Sequence, residues 1–476
     1  MKEIAGKTEK KNESAAPAAF RLEADSIGTL EIPAEAYYGV QSLRGKMNFP
    51  ITGHPMHPVF IRNIARIKIA AAQVNRESGE LPAEIADAVI RACREIADGS
   101  LREAFIVDAI QGGAGTSANM NMNEVAANRA IELLGGTKGD YTIVHPNDHV
   151  NMCQSTNDVI PTAGKLTALE LLDPLRDALR ELEVELLSKA VEFRDVMKMG
   201  RTQLEDAVPM RLGQSFHAYA TMVRRDRKRI TQTAEEMRVV NLGATAIGTG
   251  INTSPYYQEN IVAALASLTG IPLIKAEDLF DATENLDGFV ALSGVLKACA
   301  INLSKMCNDL RLLSSGPKTG FGEINLPPMQ NGSSIMPGKV NPVIPEVVTQ
   351  VAYNIAGNDT AIAMAAEAGQ MELNAFEPVI FYNLFESIDT LEAAIRTLTK
   401  NCIRGITANR ERCRNLLESS VGIITAVCPY IGYKKAAEAA KESLETGVPV
   451  RQILRDRGLM SDEMIDRILD PARLAN

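Results

Sequence analysis

Apolar residues recur at helical spacing over most of the chain, and the longest such stretches lie in its middle. Leu175, Leu179, Leu182 and Leu186 fall at i, i+4, i+7 and i+11, one stripe of a helix. Pro174 sits in that run and predicts a kink or a start there. A second long helix is predicted over 212–239. A third covers 284–313, with Phe289, Leu292, Leu296, Leu303, Met306, Leu310 and Leu313 on one side. Two more are predicted over 345–366 and 377–400. Five long helices with few strand signals predict a bundle. A helix of about thirty residues is ~45 Å long, so such a bundle projects beyond one compact globule. Its apolar flanks then predict pairing with other subunits.

The two ends are patterned differently. From 21 to 48, Gly and Pro punctuation predicts irregular or short-strand structure. Helical patterning starts near Pro58, with Ile61, Ile64, Ile67 or Lys68, and Ala71 near helical spacing. Further helices are predicted over 82–97 and after the glycine-rich QGGAGTS (111–117). Beyond Asn409 the segments shorten, and Ser461 is a plausible N-cap with Asp462 and Glu463 behind it. There is no repeat of solenoid length. The expected architecture is all-α in three domains. A disordered tail (1–20) precedes an N-terminal domain (21–154), a central five-helix bundle (155–410) and a small helical domain (411–476).

The first twenty residues lack an apolar core for a signal peptide. No run reaches the ~18 uninterrupted apolar residues of a membrane span. A net charge of −9 leaves no basic footprint for nucleic acid, and any anion site has to be built locally. Seven scattered cysteines without a CxxC read as reduced, buried thiols. The expectation is a cytoplasmic protein with neither membrane nor nucleic-acid partners. None of the five histidines forms an HxxxH pair on an obvious helix, and no Rossmann or phosphate-loop pattern occurs.

Four segments between apolar helices are rich in Gly, Ser, Thr and Asn: GGAGTSANMN (112–121), NMCQSTNDVIPT (151–162), MGRTQLEDAVP (199–209) and NGSSIMPGKVNP (331–342). Near helix ends, such residues present N–H and O–H donors to carboxylates. The same residues also serve as ordinary caps and turns, and spacing alone does not make them converge.

NGSSIMPGKVNP resembles the signature of the aspartase/fumarase superfamily almost letter for letter. IPAEAYYGVQSLR, GGAGTSANMNMNEV, HPNDHVNMCQSTND, GRTQLEDAVPM, LGATAIGTGINT and NDLRLLSSGPKTGFGEINLP follow in family order, covering Leu22 to near the C-terminus. Local wording resembles the aspartase branch. Gln154-Ser155-Thr156-Asn157 stands where fumarases have QSSN. Gln111 to Ser117 replaces a QTGSGTQ-like form, and Gln203 stands where fumarases carry His. Glu205 departs from the usual Gln, Gly45-Lys46-Met47 from Ala-x-Glu, and Gly338 from Ala.

The resemblance implies a carbon–nitrogen lyase that interconverts L-aspartate with fumarate and ammonia. Ser333 is implied as general base, under a mobile lid suited by glycines 316, 320, 322, 332 and 338. Thr116, Ser155, Thr156 and Ser334 are implied donors to the β-carboxylate. Lys339 and Asn341, joined by Thr202, are implied for the α-carboxylate. Asn157 and Gln203 are implied acceptors for the departing ammonium. The family also implies a homotetramer with a twenty-helix core, each active site shared by three subunits. It implies no required cofactor, with Mg²⁺ a candidate activator. HPND (145–148) resembles a second anion site of fumarases, although a structural use of His145 is expected. Fumarate hydratase is the alternative activity, and a lens-crystallin-like structural protein the alternative class.

Overall fold

The computed structural model describes residues 19–469. The tail expected over 1–20 lies, apart from its last two residues, outside them. In chain order the elements are β1 (Phe20–Asp25), β2 (Gly28–Pro33), α1 (Val40–Asn48), α2 (Pro58–Glu77), α3 (Ala83–Ala97), α4 (Thr116–Leu133) and α5 (Thr156–Glu192). Next come β3 (Met197–Thr202), β4 (Glu205–Arg211), α6 (Leu212–Thr233), β5 (Val239–Val240), α7 (Pro255–Thr269), β6 (Ile274–Lys275), α8 (Asp281–Glu284) and α9 (Asp287–Leu313). They are followed by β7 (Ile324–Asn325), α10 (Val343–Glu367), α11 (Glu377–Asn401), β8 (Thr407–Ala408) and five short helices: α12 (Arg410–Ser419), α13 (Cys428–Ile431), α14 (Tyr433–Thr446), α15 (Val450–Asp456) and α16 (Asp462–Ile468). Helices dominate, as expected of an all-α fold. The only sheets among the described residues are four two-stranded pins.

The chain divides into two compact units. The first takes residues 1–168, 237–287 and 363–382. Here α2 packs against α3 and α7, and α3 against α4. Ile64, Ile67, Val89 and Cys93 lie in its core, without exposed surface. Pro58 at the first turn and His57 Nδ1, which accepts from Val59 N, start α2. Helix α1 replaces the irregular structure expected there. It has no side-chain cap of its own, and the buried Glu124 carboxylate accepts from Gly39, Gln41 and Ser42 N–H groups instead. An anion at a helix N-terminus satisfies its free N–H groups and its dipole.

The second unit takes residues 169–236, 288–362 and 383–476. Its long helices are stitched by polar contacts. Tyr219 donates to Asp309 at 3.0 Å, Asn302 to Asp226 at 2.9 Å, Ser293 to Asp359 at 2.8 Å and Asn358 to Ser387 at 3.1 Å. Arg224 and Arg227 of α6 both bind Glu183 of α5. Among the described residues α9 is the one helix long and apolar enough to cross a membrane. Half of that stretch is buried, and Ser293 and Asn302 tie it to neighbouring bundle helices. The C-terminal helices share an apolar core of Leu417, Val427, Ala439, Ile453 and Ile465, to which β3 contributes Met199. Ser461 caps α16 as expected. All seven cysteines are free thiols, and five are buried.

Three further features differ from expectation. Helix α5 does not start at Pro174 but at Thr156, and it runs through both Pro161 and Pro174. Complete burial of the neighbouring Leu172 and Leu175 holds the helix across Pro174, outweighing local propensity. The helix expected over 212–239 ends at Thr233, and β5 follows after a 3₁₀ turn. The β3–β4 hairpin was not anticipated. The β3 sequence, MKMGRT, is poor in β-branched residues.

Candidate active site

Two of the four polar segments meet in the first unit. Gly115 carries φ +83°, and a Cβ there would come within 2.9 Å of Ile160. Only glycine permits this turn into α4 together with this approach to α5. Thr116 opens α4, exposed, its hydroxyl donating to Gly113 O at 2.7 Å. Helix α5 opens at Thr156, whose Oγ1 accepts from Asn119 Nδ2 at 3.4 Å. Ser155 Oγ accepts from Asn157 N at 3.2 Å. Asn157 Nδ2 donates to Ala246 O at 2.7 Å. That bond fixes the amide orientation and leaves Oδ1 as the free acceptor.

Beneath this surface lie two buried charges that the sequence reading missed. Asp158 is wholly buried and accepts from Ser155 N at 2.9 Å, Gly243 N at 3.0 Å and Thr245 N at 3.1 Å. Burial pushes its carboxyl up to about 6, against the pull of these three donors. Lys68, equally buried, donates to Asn119 Oδ1 and Asn151 Oδ1, each at 2.8 Å. Burial lowers its ammonium to about 7. The signal for Lys68 was present. It lies seven residues after Ile61 and four after Ile64, a charge in an apolar stripe. His145 caps the single π-turn Pro146–Val150, its Nδ1 accepting from Asn147 N and Asp148 N.

The other two segments lie in the second unit. Thr202 and Gln203 occupy the tip of the β3–β4 hairpin. Gln203 and Leu204 adopt φ +54° and +68°, the two positive angles of a type I′ turn, which Asn and Gly usually supply. A strained turn built from other residues is a mark of a functional site. Thr202 pairs with Glu205 across the hairpin. In the loop before α10, Ser333 Oγ accepts from Ile335 N at 3.1 Å and Met336 N at 2.9 Å. Gly332 N donates to Lys339 O at 2.8 Å, and Asn341 Nδ2 to Gly332 O at 2.8 Å. A Cβ on Gly332 would meet both Asn341 N and Lys339 O at 2.7 Å, so this closure requires glycine. Ser334 and Lys339 are exposed.

Side chains at the start of α12 hold the first part of the glycine-rich loop. Arg412 donates to Phe321 O and Gly320 O, and Asn409 Nδ2 to Gly322 O. These bonds tie 320–323 to the start of α12, which makes this stretch the foot of the loop. Among the described residues no group of three or more His, Cys, Asp or Glu is placed to hold a metal ion.

Comparison with known proteins agrees over nearly the whole length. A family described as lyase matches residues 28–357, and one described as the fumarase C C-terminus matches residues 423–476. The chain is 52% identical over 460 residues to an aspartate ammonia-lyase of Pseudomonas aeruginosa, covering 96% of this chain and 97% of that one. A solved fumarate lyase:delta crystallin of Brucella melitensis, bound to cobalt, is similar with a TM-score of 0.94 at 48% identity, covering 96% of this chain and all of that one. A class II fumarase of Schistosoma mansoni is similar with a TM-score of 0.93 at 34% identity, covering 96% and 99%.

Proposed function

Because the chain belongs to the lyase family of the aspartase/fumarase superfamily, we propose that it is a carbon–nitrogen lyase that converts L-aspartate reversibly into fumarate and ammonia. The observation that carries this reading is half-identity to an aspartate ammonia-lyase along almost the entire chain, against a third for the fumarase.

The chemistry sets what the residues must do. The proton to be removed sits beside the β-carboxylate and is very weakly acidic. Its loss leaves an enediolate with a second negative charge. Preorganised donors lower that barrier, each contributing roughly 3 kcal/mol. Thr116, Ser155, Thr156 and Ser334 fill this role in our reading. Ser333 is the base, acting as its alkoxide. Two backbone N–H groups already converge on its Oγ, and hydrogen bonds to the charged form lower a pKa. Lys339, Asn341 and Thr202 hold the α-carboxylate.

Ammonium departs as neutral ammonia and needs no proton donor, whereas hydroxide leaving from malate does. Acceptors suffice at that position. The free Oδ1 of Asn157 and the neutral amide of Gln203 supply them without competing for the proton. This distinction favours deamination over hydration.

We place the site between three subunits of a cytoplasmic homotetramer, with substrate as its small-molecule partner. Val184, Val191, Ile301, Leu312 and Tyr353 are exposed on the bundle helices of a single chain, and such apolar flanks support burial against other subunits. Seven free thiols suit a reducing compartment. A spectrophotometric assay tests the function. Fumarate is expected to absorb as it forms from L-aspartate and not from L-malate. Malate turnover alone would restore the hydratase, and silence with both would favour a structural protein.

Asp158 gives an independent prediction. Its folded pKa of about 6 exceeds the ordinary 3.8. The folded chain therefore binds a proton where the unfolded chain does not, and protonation on acidification through pH 6 favours the fold. It also puts a hydrogen where three N–H groups point, disturbing Ser155 and its neighbours. Turnover is expected to fall below pH ~6 while the protein stays folded. Asp158→Asn is expected to abolish that step and to cost about 2 kcal/mol of stability. A pH–rate profile beside circular dichroism checks both, and an unchanged acid limb in the variant would remove Asp158 from the account.

A further inference from the structure

Glu323 has no exposed surface, yet two cations converge on it. Arg201 Nη1 lies 2.9 Å from Oε1, and Lys198 Nζ lies 3.2 Å from Oε2. The lysine contact is ionic: Glu323 Oε2 accepts no hydrogen bond, and the Lys198 ammonium donates to Met199 O at 2.9 Å. Arg201 is held a second time, with its guanidinium carbon 4.3 Å over the Phe321 ring. The side chains of Lys198, Arg201 and Glu323 are only 6%, 12% and 0% exposed.

These groups join two functional segments. Lys198 and Arg201 belong to β3, and Thr202 follows Arg201 directly. Glu323 is fixed through its backbone, donating to Leu313 O at 2.8 Å and accepting from Asn409 N at 2.9 Å. The next two residues, β7, pair with β8. Beyond them runs the loop 326–341 with Ser333 and Lys339. For stability alone, well-packed apolar side chains would serve as well as this buried cluster. What charge adds is geometry, since a guanidinium fork fits a carboxylate in few orientations.

We propose that Lys198, Glu323 and Arg201 form a positioning clamp that fixes the hairpin tip, with Thr202 and Gln203, to the foot of the 326–341 loop. The clamp gives the loop a fixed origin to move from and keeps the tip from drifting. None of the three is a catalytic residue. The proposal rests on the aspartate reading above for its kinetic consequence only.

The test uses the full-length protein with Arg201→Gln and Arg201→Lys, measured by hydrogen–deuterium exchange and steady-state kinetics. Arg201→Gln leaves Glu323 paired with Lys198. Exchange is expected to rise about tenfold in both 200–206 and 318–326 and to stay unchanged in α6 and α9. KM for L-aspartate is expected to rise roughly tenfold with kcat within about threefold, the pattern of lost ground-state binding. Arg201→Lys keeps the charge but loses the fork and the ring contact, and should fall between. Exchange that rises in the hairpin and leaves 318–326 untouched overturns the clamp, as does an unmoved KM. If Arg201→Gln fails to fold, Phe321→Leu loosens the stacked face alone and carries the same two readouts. A wild-type protein inert toward L-aspartate would defeat the functional reading, while the exchange data would still decide the clamp.

Discussion

Replacing Ser333 with alanine is expected to lower kcat by at least roughly 10⁴-fold, with KM for L-aspartate within a few-fold of wild type. Losses of this size follow removal of a group that acts only in the transition state. The physical ground is local. Ile335 N and Met336 N point at Ser333 Oγ, so any negative charge placed there is met by two fixed dipoles. Alanine removes the oxygen and leaves the dipoles without a target. Ser333 is half-buried in a surface loop, so the fold should be unaffected and the thermal transition should not move. Retention of more than about one per cent of turnover by the alanine variant would strike Ser333 from the base position.

Lys339→Met should act on the other side of the ledger between binding and chemistry. In a closed, dry site, removing one partner of a charge pair costs about 3 kcal/mol, roughly a hundredfold in affinity. KM for L-aspartate is therefore expected to rise about a hundredfold. Lys339→Arg should recover little of that, because a planar fork does not replace a compact point charge. Lys339 stands exposed in the single chain, after the left-handed Gly338 with φ +77°. Saturation of Lys339→Met at wild-type substrate concentrations would place the α-carboxylate elsewhere.

Much of the helical fold was legible because long amphipathic helices announce themselves through the period of their apolar residues. The stripe from Leu175 to Leu186 and the face from Phe289 to Leu313 both lie in the core. Elements stabilised from a distance were not legible. Helix α1 takes its N-terminal anion from Glu124, some eighty residues on. The β3–β4 hairpin turns on Gln203 and Leu204, which carry none of the usual turn chemistry. For the site, residue types and order could be read from the sequence, and the signature loop supplied roles by resemblance. The supporting charges could not. Lys68 alone gave a hint, as a charge within the apolar stripe of α2, whereas Asp158 and Glu323 look like ordinary charged residues along the chain. Their burial arises only when segments far apart in sequence close over them, which no local pattern encodes.

Each of the two compact units is threaded from three separate stretches of chain, and this bears on how the protein is made. The first unit is not complete until residues 363–382 have been synthesised. His54 then meets Tyr382, and Phe60 meets Phe381, across more than three hundred intervening residues. At ~5–20 residues per second, a ribosome needs roughly 20–80 s to reach that point. Through that interval α2, though packed on α3 and α7, lacks the Phe381 ring against Phe60. The yield on expression is therefore expected to respond to chaperone supply and to slower translation at lower temperature.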